Sequence, residues 1–123
     1  MSSSLVECSF FIPLRRDANL ADGAPHPVEA WEWLDNELFV RFSGGTMAPG
    51  EYHGFYQDPD SAQRVDDASY RFIVAVPKKE IDRLRLLLSA ACVLFAQKCI
   101  YLSVGGKVEF VEAKHGGEPD PIH

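Results

Sequence analysis

The sequence is poor in the groups that hold metals, form disulfides or bind polyanions. It has 3 cysteines and 4 histidines in 123 residues. An odd number of cysteines, none at zinc-site spacing, argues against a disulfide framework and against a zinc centre. Cys8, Cys92 and Cys99 read instead as small buried hydrophobes. No two histidines stand at the spacing of one helix face, so no metal is expected. Bases are also scarce, with 12 Lys and Arg against 18 Asp and Glu, a formal net charge of −6. The basic clusters, Arg15-Arg16, Lys78-Lys79 and Arg83 with Arg85, are short and interleaved with acids. They leave no stripe for a nucleic acid backbone, so no nucleic acid partner is expected. Long hydrophobic runs are missing. The longest, residues 86–96, is broken by Ser89 and is too short to span a bilayer, so no membrane partner is expected either. Met1 and the serines after it lack the basic and apolar regions of a signal peptide, which predicts a cytoplasmic location. Phosphate loop, dinucleotide fingerprint and nucleophile elbow are absent. Asp58, Asp60, Asp66 and Asp67 form an acidic stretch without the glycine and closing glutamate of a calcium loop. No cofactor is expected.

What the sequence does have is enough apolar residue, 46%, to build the core of one domain. Residues 6–14 alternate, with Val6, Cys8, Phe10, Ile12 and Leu14 on one face, and predict a strand. The polar segment 15–27 is a loop. Pro27 suits a first helical position; Val28, Trp31, Leu34, Leu38 and Phe42 then recur at helical spacing. In RFSGGTMAPGEYHGFYQDP, the glycines Gly44-Gly45 follow the end of this helix. Anions bind at helix N-termini, so the pair reads as a helix stop, with 46–50 a connecting loop. Residues 51–57 alternate as a second strand, with Tyr52, Gly54 and Tyr56 on one face and His53, Phe55 and Gln57 on the other. Asp58-Pro59-Asp60-Ser61 is a turn, and a polar connection continues to Asp67. Residues 69–76 form the strongest strand, with Tyr70, Phe72, Val74 and Val76 on its apolar face. A second helix covers about 79–97, followed by a strand over 99–104. Gly105-Gly106 is either a hairpin turn or a bulge before a return strand over 107–113.

The order strand, helix, strand, strand, helix, strand predicts an α+β fold of ferredoxin-like type. This is a βαββαβ antiparallel sheet with two helices on one face and a possible extra C-terminal strand. One domain spans 1–123, with an ordered core over about 5–113 and a loose tail over 114–123.

The chain also resembles a group of small bacterial α+β proteins of unassigned function. The resemblance lies in FIPLRRD, HPVEAWEWLDNELFVRFSGGT, GEYHGFY, DDASYRFIVAVP and LFAQKCIYLSVGGKVEFVE, and covers most of the chain. It implies a fold and no activity.

The sheet face away from the helices carries the functional expectation. Alternation assigns to it Ser9, Phe11, His53, Phe55, Ile73, Ala75, Tyr101 and Ser103, with Glu7, Gln57, Arg71 and Glu109 within its reach. That is too apolar for a solvated face. A second copy packed sheet to sheet predicts a homodimer; a pocket for a small molecule or a protein partner is the other cover. His53 is the candidate catalytic residue, as an acid or base near neutral pH. Phe11, Phe55, Arg71 and Tyr101 are the candidate ligand-binding residues. The main functional expectation is a non-catalytic binding or protein-interaction module acting through the sheet face. The alternative is a small cofactor-free enzyme of lyase or isomerase type, using acid/base chemistry in a pocket at that face. His26, just before Pro27, reads as a capping or loop residue.

Overall fold

Alternating apolar residues in the strands and a four-residue apolar repeat in the helices meet in one core. The computed structural model describes residues 4–58 and 60–113. In chain order it contains β1 (Leu5–Pro13), α1 (Val28–Phe42), β2 (Thr46–Met47), β3 (Tyr52–Gln57), β4 (Arg64–Pro77), α2 (Ile81–Leu94), β5 (Cys99–Val104) and β6 (Lys107–Glu112). A 3-10 turn, Lys78–Glu80, leads into α2. The sheet runs β2-β4-β1-β5-β6, and β3 also pairs with β4; every pairing is antiparallel. This is the ferredoxin-like α+β arrangement, extended by β6 as an edge strand.

The core face is the one the alternation predicts. Cys8, Phe10 and Ile12 of β1, Val74 and Val76 of β4, and Ile100 and Leu102 of β5 are almost fully buried against Leu34 of α1 and Leu84, Leu87 and Leu88 of α2. Ala30, Leu34, Leu38 and Phe42 are the buried stripe of α1, one residue per turn.

The helix stop differs in detail from the expectation. Ser43 is the residue in the left-handed region, at φ 68° and ψ 14°. Its N–H donates to Phe39 O (2.9 Å), and the Gly44 N–H donates to Leu38 O (3.2 Å). Gly44 follows at φ 135°, whereas Gly45 has no positive φ. Capping is therefore the function of the glycine stretch, but a serine takes the strained position. Pro27 lies at the N-cap, one position before the helix, with extended backbone.

Three connections also differ. Thr46 and Met47, in the expected loop, pair with Ile73 and Phe72 as β2. Much of the expected polar connection to Asp67 is the first part of β4, paired residue by residue with β3 from Gln57↔Arg64 to Tyr52↔Ser69. Gly105 and Gly106 both have positive φ, 55° and 88°, so they form a hairpin turn rather than a bulge. The tail expected over 114–123 lies outside the described residues, as do His115 and His123.

Candidate functional site

The register of β3 decides which side chains share the open face. Tyr52 pairs with Ser69, which pairs in turn with Pro13 on β1. The Tyr52 ring meets Phe11 edge-on at 5.5 Å. Tyr52, Gly54 and Tyr56 therefore lie on the open face, with Phe11, Arg71 and Tyr101. His53 and Phe55 lie on the opposite face of β3, which corrects the expected register. The sequence grouped these residues correctly and turned the strand over, a one-residue ambiguity that period-two alternation cannot resolve. All six residues of β3 are exposed, so no buried stripe distinguishes its faces.

His53 consequently does not join the candidate ligand residues. Its side chain is 77% exposed, and Nε2 lies 3.8 Å from Glu51 Oε1. Phe55 also leaves the set; the Arg64 guanidinium stacks over its ring at 4.2 Å. Gln57 shares their face and donates to Ala62 O at 3.1 Å. Glu109 turns toward α2, where Arg85 holds it bidentately at 2.7 and 3.0 Å. Of the expected ligand residues, Phe11, Arg71 and Tyr101 do come together. Phe11 is the register partner of Arg71 and meets Tyr101 edge-on at 5.3 Å. Tyr101 meets Phe110 at 5.8 Å. An aromatic row, Tyr52–Phe11–Tyr101–Phe110, thus crosses the open face.

At one end of this row lies a carboxylate that the sequence pattern placed at the end of a polar connection. Asp67 is the cross-strand partner of Gly54, which is flanked on the same face by Tyr52 and Tyr56. With no side chain at Gly54, the pair forms a notch; a Cβ there would sit 3.8 Å from Asp67 Oδ1. Asp67 is half-buried and has no ion-pair or hydrogen-bond partner among the described residues. Burial, and then the neighbouring Asp66 charge, push its carboxyl above the usual carboxylate range. Its neighbours contrast with it. Asp66 is paired with Arg64 at 2.9 Å. Asp58 accepts from the Asp60 N–H at 2.8 Å, and that bond is the main cause holding its carboxyl low.

The notch opens because β1 is shorter than β4. β1 ends at Pro13, opposite Ser69, so residues 64–68 have no strand on that side. The loop 14–24 lies there instead, anchored by Leu14 N–H to Ala68 O and Asp17 N–H to Ala96 O, both 2.9 Å. A groove of about 1000 Å³ between the loop and the β3–β4 hairpin is lined by Asp17, Asn19, Gly54, Tyr56 and Asp67, and also by His53 and Phe55 from the other face of β3. Burial raises the Tyr56 phenol, with the Asp67 and Asp17 charges adding to it. A half-buried acid without a partner, beside a phenol that burial also perturbs, makes this groove the candidate functional site. No group of three or more metal-ligating side chains occurs among the described residues, and none of their helices is long and apolar enough to cross a membrane.

No protein-family model and no curated protein sequence matches the chain. Two solved structures are similar to it. A phage SAM lyase in complex with S-methyl-5'-thioadenosine has a TM-score of 0.68 at 15% identity, covering 92% of this chain and 93% of that one. A phage SAM lyase in the apo state has a TM-score of 0.60 at 12% identity, covering 93% of each chain. At these identities the likeness establishes the fold, over nearly the whole chain.

Proposed function

We propose that this protein is a small cofactor-free lyase that cleaves a sulfonium nucleoside of the S-adenosylmethionine class on the open sheet face. Two lines support the reading. The solved structures that share its fold along both chains are SAM lyases, one of them holding S-methyl-5'-thioadenosine. The observation that carries it is Asp67, half-buried and unpaired in the notch between Tyr52 and Tyr56.

The chemistry suits those groups. A sulfonium is attracted to the faces of tyrosine and phenylalanine rings, worth about 0.5–2 kcal/mol per contact depending on desolvation. A carboxylate and a formal net charge of −6 favour a cationic substrate. When the bond from sulfur to the amino-acid arm breaks, its electron pair stays on sulfur, which leaves as a neutral thioether. The arm replaces the lost pair from its own carboxylate, closing a ring, or from a C–H bond whose proton passes to Asp67. Neither route needs a redox step. Charge is lost from sulfur as the bond breaks, so the ring faces bind and orient the sulfonium, and acceleration of the step rests on the groups that supply the electron pair. The binding-module reading uses the same face but gives the unpaired Asp67 no role.

Incubation with S-adenosylmethionine and chromatography of the products tests the proposal. Wild type should release S-methyl-5'-thioadenosine, and where the pair comes from a C–H bond, Asp67→Asn should slow release by about a hundredfold or more. The structure of the second product identifies which electron pair was used. No release from wild type would overturn the lyase reading and leave the interaction module. We also propose that a second copy covers the rest of the open face, giving the homodimer expected from its apolar content. A cytoplasmic location fits a nucleoside substrate.

A further inference from the structure

Arginine is mostly exposed and is almost never fully buried unless its charge is paired. Here Arg16, Arg41, Arg64, Arg83 and Arg85 each sit against a carboxylate. Arg71 does not. It is half-buried on the open face, and among the described residues its side chain makes one long hydrogen bond, Nη2 to Ser9 Oγ at 3.5 Å. Ser9 and Ser69, its polar neighbours on that face, are themselves 7% and 6% exposed. The guanidinium thus reaches Ser9, and no carboxylate among the described residues pairs with it.

We propose that Arg71 binds the carboxylate of the substrate's amino-acid arm, and so restricts the site to sulfonium nucleosides that carry one. The proposal rests on the lyase reading and adds to it the group that is recognised and the direction in which the substrate lies. Asp67 and Arg71 are on one face of β4, four residues apart, a separation of about 13 Å at the usual strand rise. Ser69 lies between them, and the Phe11 and Tyr52 rings lie alongside. A substrate laid along β4 with its amino-acid arm between the two presents the arm's C–H bonds to Asp67 and its carboxylate to the guanidinium. Its sulfonium then passes over the aromatic pair. Arg71 presents the planar fork that matches a carboxylate bidentately, a geometry lysine lacks.

The test compares wild type with Arg71→Met and Arg71→Lys by isothermal titration with three thioether probes. S-adenosylhomocysteine keeps the amino-acid arm, its decarboxylated counterpart lacks only the carboxylate, and S-methyl-5'-thioadenosine lacks the arm. Wild type should bind the carboxylated probe roughly ten- to a hundredfold more tightly than the decarboxylated one. Arg71→Met should abolish that preference and leave affinity for S-methyl-5'-thioadenosine unchanged. Arg71→Lys should recover part of it. Because Arg71 has no carboxylate partner to leave unpaired, the melting temperature of Arg71→Met should stay at or above that of wild type. A variant that keeps the preference would overturn the assignment while leaving the lyase reading intact. A fall in melting temperature with equal weakening of all three probes would assign Arg71 a structural role instead. If wild type binds none of them, the lyase reading falls and the carboxylate anchor falls with it.

Discussion

Asp67 and His26 are both titratable and partly or wholly buried, and they have opposite consequences. The Asp67 carboxyl is raised, so the folded chain holds its proton more tightly than the unfolded chain does. Its ionised form therefore opposes folding. Stability falls as pH rises from the unfolded value, near 4, through the folded one. Asp67→Asn should raise the melting temperature at neutral pH while it removes activity, the trade expected of a residue kept for function. An equal or lower melting temperature would show that the carboxylate is structurally satisfied. His26 is the reverse case, and its burial was not anticipated. It is 8% exposed, with Nε2 donating to Pro13 O at 2.7 Å and its ring edge-on to Trp31 and Phe95. Nδ1 is buried without a partner. Burial is the main cause pushing its imidazole below the usual histidine value; the Pro13 carbonyl works against it, and Arg16 adds to it. The contribution is present above the unfolded value of about 6.5 and is lost as pH falls through the folded one. Thermal melts should therefore show falling stability as pH drops below about 6.5. His26→Asn should cost about 1–3 kcal/mol at pH 7 and flatten that slope.

At the scale of elements, the end of α1 gives the cleanest test. Ser43 at φ 68° occupies a region that costs an L-residue about 1–2 kcal/mol. Part of that returns when glycine loosens the unfolded chain. Ser43→Gly should therefore stabilise by about 0.5–1 kcal/mol in urea denaturation. Gly44→Ala, at φ 135°, should destabilise by about 1 kcal/mol or more. No atom lies within 4 Å of a Cβ built at Gly44, so that cost would be conformational rather than steric. The long β4 matters more for function. Because it outruns β1, the β3–β4 hairpin projects past the sheet, and the loop 14–24 builds the groove against it. The hairpin tip is tied to the start of β5 by Lys98, whose Nζ lies 2.7 Å from Asp60 Oδ2.

For the molecule as a whole, the open face is too apolar to be left to water. Leu5, Val108 and Phe110 are 65%, 52% and 63% exposed, and Phe110 continues the aromatic row through Tyr101. Exposed patches of this kind mark interfaces, and a symmetric self-contact is the commonest solution. Sedimentation at micromolar concentration should show a dimer or a larger closed assembly. Phe110→Glu, at a position that supports no core packing, should shift it toward monomer without loss of helical signal. A wild type that sediments as a monomer across that range would remove the proposed self-contact.

The sequence by itself determined the two helices, the main strands, their order and the core face, because each rests on a local periodicity; β2 and the start of β4 it read as connections. Cys8, Phe10 and Ile12 alternate, and Leu34, Leu38 and Phe42 recur once per helical turn. Both patterns survive any choice of neighbours. It also determined that Tyr52, Gly54 and Tyr56 share a face, and that Phe11, Arg71 and Tyr101 do. Which face β3 presents was a tertiary decision. Neither side of that strand is buried, so its orientation follows from pairing Tyr52 with Ser69 and seating its ring on Phe11. That one register moved His53 to the face opposite the aromatic row and brought Asp67 beside that row. Asp67 looked like one more acid in a polar run because burial and the lack of a partner are properties of its surroundings. Only the fold, with β1 ending at Pro13 and β4 running on past it, gives it those surroundings.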